Sequence, residues 1–544
     1  MAKVPRLPRP AQAVGITHIT QVRAWTLIIA FLASISLPLL VDLLGPARAS
    51  IFRTVRTTAH DVAAKWLEGH SLINRITSAN QALLAGFAAF ENVIEDESTL
   101  SHHTRPIVQE MLLRVGAGNE KTYAGQEGWL FYGPEIDYLT SRTLARKPDV
   151  PERAIASFAA DLAERGVRLV LLPTPGKPLI HPEKFSGGAS ALSQPPQRPD
   201  WEAFRNRLER ACREAFASRG LNNSPQPMLV DPTGLLWDQK AEGPQFLRSD
   251  SHWRPEAMES VAAQVAQSVL GDLQHGAVEY NKRDQKIFAR GDTSSMLQLA
   301  ETSPWNRSEE VTISRVLKQD GSQWRPDSSS PVLLLGDSFS NIYSQNSLGW
   351  GEGAGFAEHL SAKLGFPVDA ITRNDDGASA TRRILAEQIA RGNDRLAHKK
   401  VVLWQFAMRE LATGRWELTP LAARKETSEG SFLVLKPGEE RRIQGKVRAI
   451  GPIPRPADTP YKDYLTAFQI GEISNETATE AIVYLPTMQD HQLTPAAKLQ
   501  AGDEVALILT SWVDAEQQYG GINRGELEDE NLLLEQPNFA RLAR

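Results

Sequence analysis

Apolar positions along this chain fall into three textures. From Ala24 to Val41 they run without a charged residue, a length of about 27 Å as a helix and close to the hydrocarbon thickness of a bilayer. From 46 to 118 they recur at helical spacing, as in Leu83, Leu84, Phe87, Phe90 and Val93, so helices are expected there. Gly125-Gln-Glu-Gly-Trp-Leu-Phe-Tyr132 reads as a turn followed by an aromatic strand. Beyond it, amphipathic helices alternate with short, wholly apolar runs. Pro151 to Arg165 places Ile155, Phe158, Ala159 and Leu162 on one face, stops at Gly166, and is followed by the strand-like Val167–Leu172. The same order returns in Phe356–Leu364, Gly365 and Val368–Ile371, and in Thr381–Ala390 and Val401–Phe406. Val332-Leu-Leu-Leu335 is a further buried run. This alternation predicts an α/β, doubly wound sheet.

Near residue 420 the third texture begins. Phe432–Leu435, Ile443–Ile450, Tyr464–Ile473, Ala481–Leu485 and Val505–Trp512 are strand-like runs separated by Pro-, Gly- and Asp-rich turns, with no long helical pattern between them. Five short strands in about 90 residues predict a small β domain, an OB-like barrel as the first choice. The expected division is a tail over 1–23, an apolar anchor over 24–45, a helical segment over 46–119, an α/β domain over 120–419 and a β-rich domain over 420–544. Ser193–Asp200 and Ser322–Ser330 are loops by composition.

Composition narrows the functional classes. With 41% apolar and 23% charged residues the chain is globular, and its 60 basic against 65 acidic residues give no basic excess for binding nucleic acid. Lys3, Arg6, Arg9 and Arg23 precede the apolar stretch, and no acidic residue occurs before Asp42. The basic side is expected to stay in the cytoplasm, which sends the rest across the inner membrane into the periplasm. Ala47-Arg48-Ala49 also fits a signal-peptidase site; the length of the apolar run favours an uncleaved anchor. The single cysteine, Cys212, sits in a helical pattern and is expected to be a buried thiol.

Two short motifs carry chemistry. Gly336-Asp-Ser-Phe-Ser340 follows the apolar run Val332–Leu335, which puts Ser338 at the carboxyl edge of the sheet. Asp250-Ser-His-Trp253 offers an acid and an imidazole two residues apart. A serine hydroxyl becomes a nucleophile when a base takes its proton, and the base needs a third group to hold its tautomer. Asp250, His252 and Ser338 can be those groups. Gly-Asp-Ser clusters are most often plain turns; the strand before this one and the compact acid-imidazole motif raise the catalytic reading. Trp253 is expected to pack behind the histidine and Asp337 to serve the turn. Gly349-x-Gly351-x-x-Ala354 lacks the preceding strand of a dinucleotide site. His102-His103 has no partner at metal-ligand spacing. No cofactor and no metal are expected.

The combination resembles the alginate O-acetyltransferase family, SGNH-hydrolase-like proteins that decorate exopolysaccharides. The resemblance rests on Gly128-Trp-Leu-Phe131, Pro173-Thr-Pro-Gly-Lys177 with His181-Pro-Glu183, Asp250-Ser-His-Trp253, Gly291-Asp292 with Met296-Leu297, Gly336-Asp-Ser-Phe-Ser340, and Trp404 with Arg409. It covers about residues 120–415. It implies an SGNH-like sheet in which Asp250 orients, His252 is the base and Ser338 carries an acetyl group to a polysaccharide hydroxyl. The Ser338 N–H and either Arg373 or Asn374 are candidates for the oxyanion. Tyr343 is a candidate for the pocket wall or for the core, and Lys177 for a substrate contact or a solvated loop charge. Implied partners are a polysaccharide acceptor, a multipass membrane O-acyltransferase relaying acetyl, and other exopolysaccharide secretion proteins. A polysaccharide esterase and a non-catalytic glycan-binding scaffold are the alternatives. The last 125 or so residues do not resemble the carbohydrate-binding module of one family branch, so the polymer need not be alginate.

Overall fold

Where the described residues of the first of two units, residues 1–108 and 109–544, show helical spacing, they form helices. The computed structural model describes residues 20–69, 71–141, 150–271, 273–421, 432–456, 459, 461–474, 476–533 and 535–543; Lys3, Arg6 and Arg9 lie outside them. Helix α1 (Gln21–Leu44) is long and apolar enough to cross a membrane, and Trp25, Leu27 and Phe31 on it are exposed. Helices α2 (Arg48–Glu68) and α3 (Leu72–Glu97) pack tightly, since a Cβ added to Gly86 would lie 2.0 Å from Thr58. Asp42 Oδ1 accepts the Thr99 N–H at 3.2 Å at the start of α4 (Thr99–Arg114).

In the second unit the apolar runs become a five-stranded sheet. Its strands are β1 (Arg168–Thr174), β2 (Met228–Leu229), β3 (Val332–Gly336), β4 (Asp369–Thr372) and β5 (Val401–Ala407). They lie in the order β2–β1–β5–β3–β4, every neighbouring pair parallel. Strands covered on both faces read as continuous apolar runs, and every residue of β3 and β5 is buried. Helix α5 (Val150–Glu164) packs on α6 (Trp201–Ser218), and α7 (Pro255–Val269) on α8 (Phe356–Leu364). Cys212 is buried in α6, and burial pushes its thiol up to about 12. Because β5 inserts between β1 and β3, chain direction along the sheet reverses there. The crevice above the carboxyl ends at such a point is where open α/β sheets hold ligands.

The C-terminal strands close into a barrel: β6 (Glu440–Ile450), β7 (Tyr464–Gly471), β8 (Glu480–Gln489), β9 (Glu504–Ser511) and β10 (Asn538–Leu542). The ring runs β6–β7–β8–β10–β9 and back to β6, with β8–β10 the one parallel pair among these five. It is filled by Ile443, Phe468, Val483, Leu507 and their neighbours and is the OB-like barrel expected. Phe432–Leu435, expected as a strand, makes only a bridge from Phe432 to Glu480. Its place is taken by β10, whose five residues are too few for alternation to stand out.

Candidate active site

Strand β3 ends at Gly336, and the chain turns at once into the short helix Ser338–Asn341. Asp337 holds that turn. Its Oδ1 accepts the Phe339 N–H at 2.9 Å and its Oδ2 accepts the Ala407 N–H at 2.7 Å. Behind it lies Gln405, the one polar side chain of β5. Gln405 Oε1 accepts from the Asp337 N–H (3.0 Å) and the Ser340 hydroxyl (2.7 Å), while its Nε2 donates to Thr174 (3.1 Å) and Asp337 (2.8 Å). Every hydrogen-bonding capacity of that buried amide is used, so the serine turn is fixed to the two central strands.

His252 reaches this turn from the segment before α7. Its Nε2 lies 2.7 Å from Ser338 Oγ and its Nδ1 2.6 Å from Asp250 Oδ1. Asp250 collects four donors: the His252 N–H and ring, the Asp292 N–H at 3.0 Å, and the Trp350 indole at 2.8 Å. The indole comes from the loop in which Gly349 and Gly351 take φ of +85° and +96°. The glycines that imitate a dinucleotide fingerprint thus serve to turn Trp350 onto the acid. Burial opposes ionisation of Asp250, but the charge and hydrogen bond of His252 outweigh it and hold the carboxyl at about 2. For His252 burial favours the neutral ring, and the Asp250 charge, its hydrogen bond and the Asp292 charge overcome that and raise its pKa. Trp253 packs edge-on against Phe339 and donates to its carbonyl at 3.0 Å, locking histidine and serine segments together.

Residues 123–408 match the family described as SGNH hydrolase-like domain, acetyltransferase AlgX. That is more than half of the chain. The chain belongs to this AlgX-type SGNH hydrolase-like family. A probable alginate O-acetylase AlgJ of Azotobacter vinelandii is 25% identical over 316 residues, 54% of this chain and 71% of that protein. Its counterpart in Pseudomonas aeruginosa is 28% identical over 152 residues, covering 28% of this chain and 34% of its own length. Among solved structures, Pseudomonas aeruginosa AlgX aligns over 71% of this chain and 90% of its own, at 16% identity and a TM-score of 0.40. The O-acetyltransferase domain of Pseudomonas putida AlgJ aligns over 54% and 92%, at 19% and 0.37.

At this candidate site, Asp292 stands beside the acid and the imidazole, its Oδ2 3.8 Å from His252 Nδ1. It accepts the Ser251 N–H at 2.7 Å and the Ser251 hydroxyl. Gly291 permits this approach, since a Cβ there would lie 2.0 Å from the Ser249 carbonyl. Asp250, His252 and Asp292 gather closely enough to suggest a metal site, but their facing atoms already bond to one another and to Ser251. Sequence spacing could not assign Asp292, Trp350 or Gln405 to the site. Gln405, polar in an apolar strand, left a signal, and Asp292 was marked by the family motif Gly291-Asp292 without a role.

Of the candidates for pocket wall and oxyanion in this AlgX-type fold, Tyr343 takes its core alternative and Arg373 turns away from the serine. Tyr343 is fully buried with its hydroxyl on the Trp253 carbonyl at 2.6 Å, a core position. The Arg373 guanidinium turns to the β barrel, donating to the Arg524 carbonyl at 2.9 Å, because Glu526 and Asp375 draw it there. Lys177 is fully buried and not a solvated loop charge. Its ammonium lies over Trp129 and Phe131 and donates to the Leu130 carbonyl at 2.6 Å. Asn374 meets the end of the serine helix: its Oδ1 accepts from Asn341 Nδ2 at 2.8 Å. Arg409 follows β5 with its guanidinium over Tyr132 and Phe339, paired to Glu135 at 3.3 Å. Burial raises Glu135 to about 7. Burial works against the Arg409 charge, and Glu135 and its other neighbours more than offset it.

Proposed function

We propose that this protein is a membrane-anchored O-acetyltransferase that carries acetyl groups through Ser338 to hydroxyls of a periplasmic or extracellular polysaccharide. The observation that carries the reading is the unbroken line from Asp250 through His252 to Ser338, at 2.6 and 2.7 Å. Ser338 Oγ attacks the acyl carbonyl as its proton passes to His252 Nε2. The tetrahedral adduct collapses, the leaving group departs with that proton, and an acetyl-serine remains. A sugar hydroxyl then attacks the ester and gives its proton to His252, which returns it to Ser338 Oγ as the bond from the acyl carbon to the serine breaks. Asp250 keeps the ring in the tautomer with Nε2 free and stabilises the imidazolium formed twice per cycle. The Ser338 N–H and the Asn374 amide are the donors assigned to the oxyanion. Ser338 and His252 are each 1% exposed, and exclusion of water favours transfer over hydrolysis.

The same reading gives residues 1–23 to the cytoplasm, 24–45 to the inner membrane, 46–119 to a helical periplasmic segment, 120–419 to catalysis and 420–544 to an accessory β domain. Acetyl-CoA is cytoplasmic and the site is outside, so the donor is assigned to a multipass membrane O-acyltransferase. The acceptor is expected to arrive with other polysaccharide secretion proteins. The test is to incubate the protein with an activated acetyl ester, with and without candidate glycans, and to weigh protein and glycan by mass spectrometry. Acetyl on Ser338 that moves to glycan supports the transferase. Release to water alone makes it an esterase, and glycan binding with no adduct leaves a scaffold.

A further inference from the structure

The C-terminal barrel turns two of its loops toward the serine. Ligand-binding OB folds use the loop between their first two strands and the loop between their last two to hold oligonucleotides and oligosaccharides. Here the β6–β7 connection brings Tyr461, and the β9–β10 connection brings Gly521 and Arg524, onto the carboxyl end of the sheet. Tyr461 and Gly521 hold one residue between them: the Tyr461 hydroxyl donates to the Asn374 carbonyl at 2.7 Å, and the Gly521 carbonyl accepts the Asn374 N–H at 3.2 Å. Asn374 follows β4, the neighbour of the strand that ends at the nucleophile. A groove of about 1610 Å³ lies between barrel and sheet, bounded by Asn341, Gln345, Lys462, Tyr464 and Gly521. It reaches Asn341, in the same short helix as Ser338; Ser338, His252, Asn374 and Tyr461 do not line it.

We propose that the barrel completes the acyl-transfer site through Tyr461, whose phenolic O–H is a catalytic donor to the oxyanion formed at Ser338. The inference rests on the acyl-serine reading above. In the resting site the phenol is parked on the Asn374 carbonyl. When Ser338 Oγ bonds to the acyl carbon, the C=O pair moves onto the carbonyl oxygen and the serine proton goes to His252. That oxygen becomes the strongest acceptor beside Ser338, and the phenol redirects its hydrogen bond by rotation about its C–O bond. No proton leaves Tyr461. Burial raises its pKa well above the ordinary value, and the neighbouring Ser338 hydroxyl opposes this only in part, so the group stays a donor rather than becoming a base. The reaction reverses the rotation when the intermediate collapses. Acylation then depends on the barrel being docked, which ties chemistry at Ser338 to the domain whose loops border the groove.

Tyr461→Phe keeps the ring and removes the donor. Acylation of Ser338 by 4-nitrophenyl acetate, normalised to active sites titrated by total adduct, is expected to slow about 100-fold, the cost of one oxyanion donor. The ratio of rates between this ester and its thionoacetate analogue is expected to fall, because sulfur is the poorer acceptor and the variant no longer discriminates against it. A purely structural role would slow both esters alike and leave the ratio unchanged, which would overturn the proposal, as would a wild-type acylation rate. Ser338→Ala is run beside it. Ester-derived adduct persisting in that protein overturns the acyl-serine reading itself; its loss, with Tyr461→Phe at the wild-type rate, removes only the role of Tyr461.

Discussion

At the scale of residues, Ser338→Ala is expected to abolish both the acetyl adduct and glycan acetylation while the protein still folds, since the hydroxyl's net contribution is about 1 kcal/mol; denaturant unfolding alongside mass spectrometry checks both. The proposed triad was legible because Asp250 and His252 lie two positions apart and Ser338 follows an apolar strand, and Asp292 was marked through the family motif Gly291-Asp292. Trp350 was not legible: it reaches Asp250 across 100 positions, and nothing in spacing announces a contact over that distance. Asp250→Asn is expected to leave the adduct detectable but slow its formation by about 10⁴, because the wrong tautomer is then favoured. The pH profile has a definite sign. His252 works as a base only when neutral, and its pKa is raised from 6.5 although burial acts the other way. The ascending limb of the acylation rate should therefore lie above pH 6.5. Asp292 is one of the charges that raise it, so Asp292→Asn should shift that limb to lower pH. A limb that stays in place in the variant would show that Asp292 does not act on the ring.

At the scale of elements, runs such as Val332–Leu335 and Val401–Phe406 could be read as strands because both faces are covered and every position is apolar. The ribbon of Tyr280–Ala289 with Glu309–Lys318 could not, since its first strand is mostly exposed and carries Lys, Arg and Asp in sequence. The barrel was legible from four of its strands, while β10 was hidden by its brevity. Gln405 shows how an element is tuned for a site: one amide in β5 joins β1, the turn after β3 and the serine helix. Gln405→Leu fills nearly the same volume and removes all four bonds. With the Asp337 N–H left without its acceptor in a buried place, the cost is expected to be about 3 kcal/mol. Acyl transfer should fall further than stability, because Ser338 is then held less firmly against His252. Unfolding by urea gives the first quantity and the rate of adduct formation the second. Full activity with unchanged stability would mean that the network is dispensable.

At the scale of the whole molecule, the proposed placement depends on which way α1 enters the bilayer. The charges flanking it are nearly balanced in the sequence. Lys3, Arg6, Arg9 and Arg23 precede the span, and Arg48, Arg53 and Arg56 follow within a few turns. The positive-inside bias counts basic residues near the span ends and gives acidic ones little weight. The difference is thus a single charge in favour of a cytoplasmic N-terminus, and orientation should be sensitive to it. Alkaline phosphatase, active only when exported, fused after residue 60 is expected to be active, and a fluorescent protein that matures only in the cytoplasm, fused at the same point, to be dark. Replacing Lys3, Arg6 and Arg9 by Ser reverses the local bias and should convert part of the population to the opposite pattern. If the unsubstituted fusion glowed and showed no phosphatase activity, the site would face acetyl-CoA directly. A periplasmic polysaccharide would then be out of reach, and the need for a membrane relay of acetyl would vanish with it.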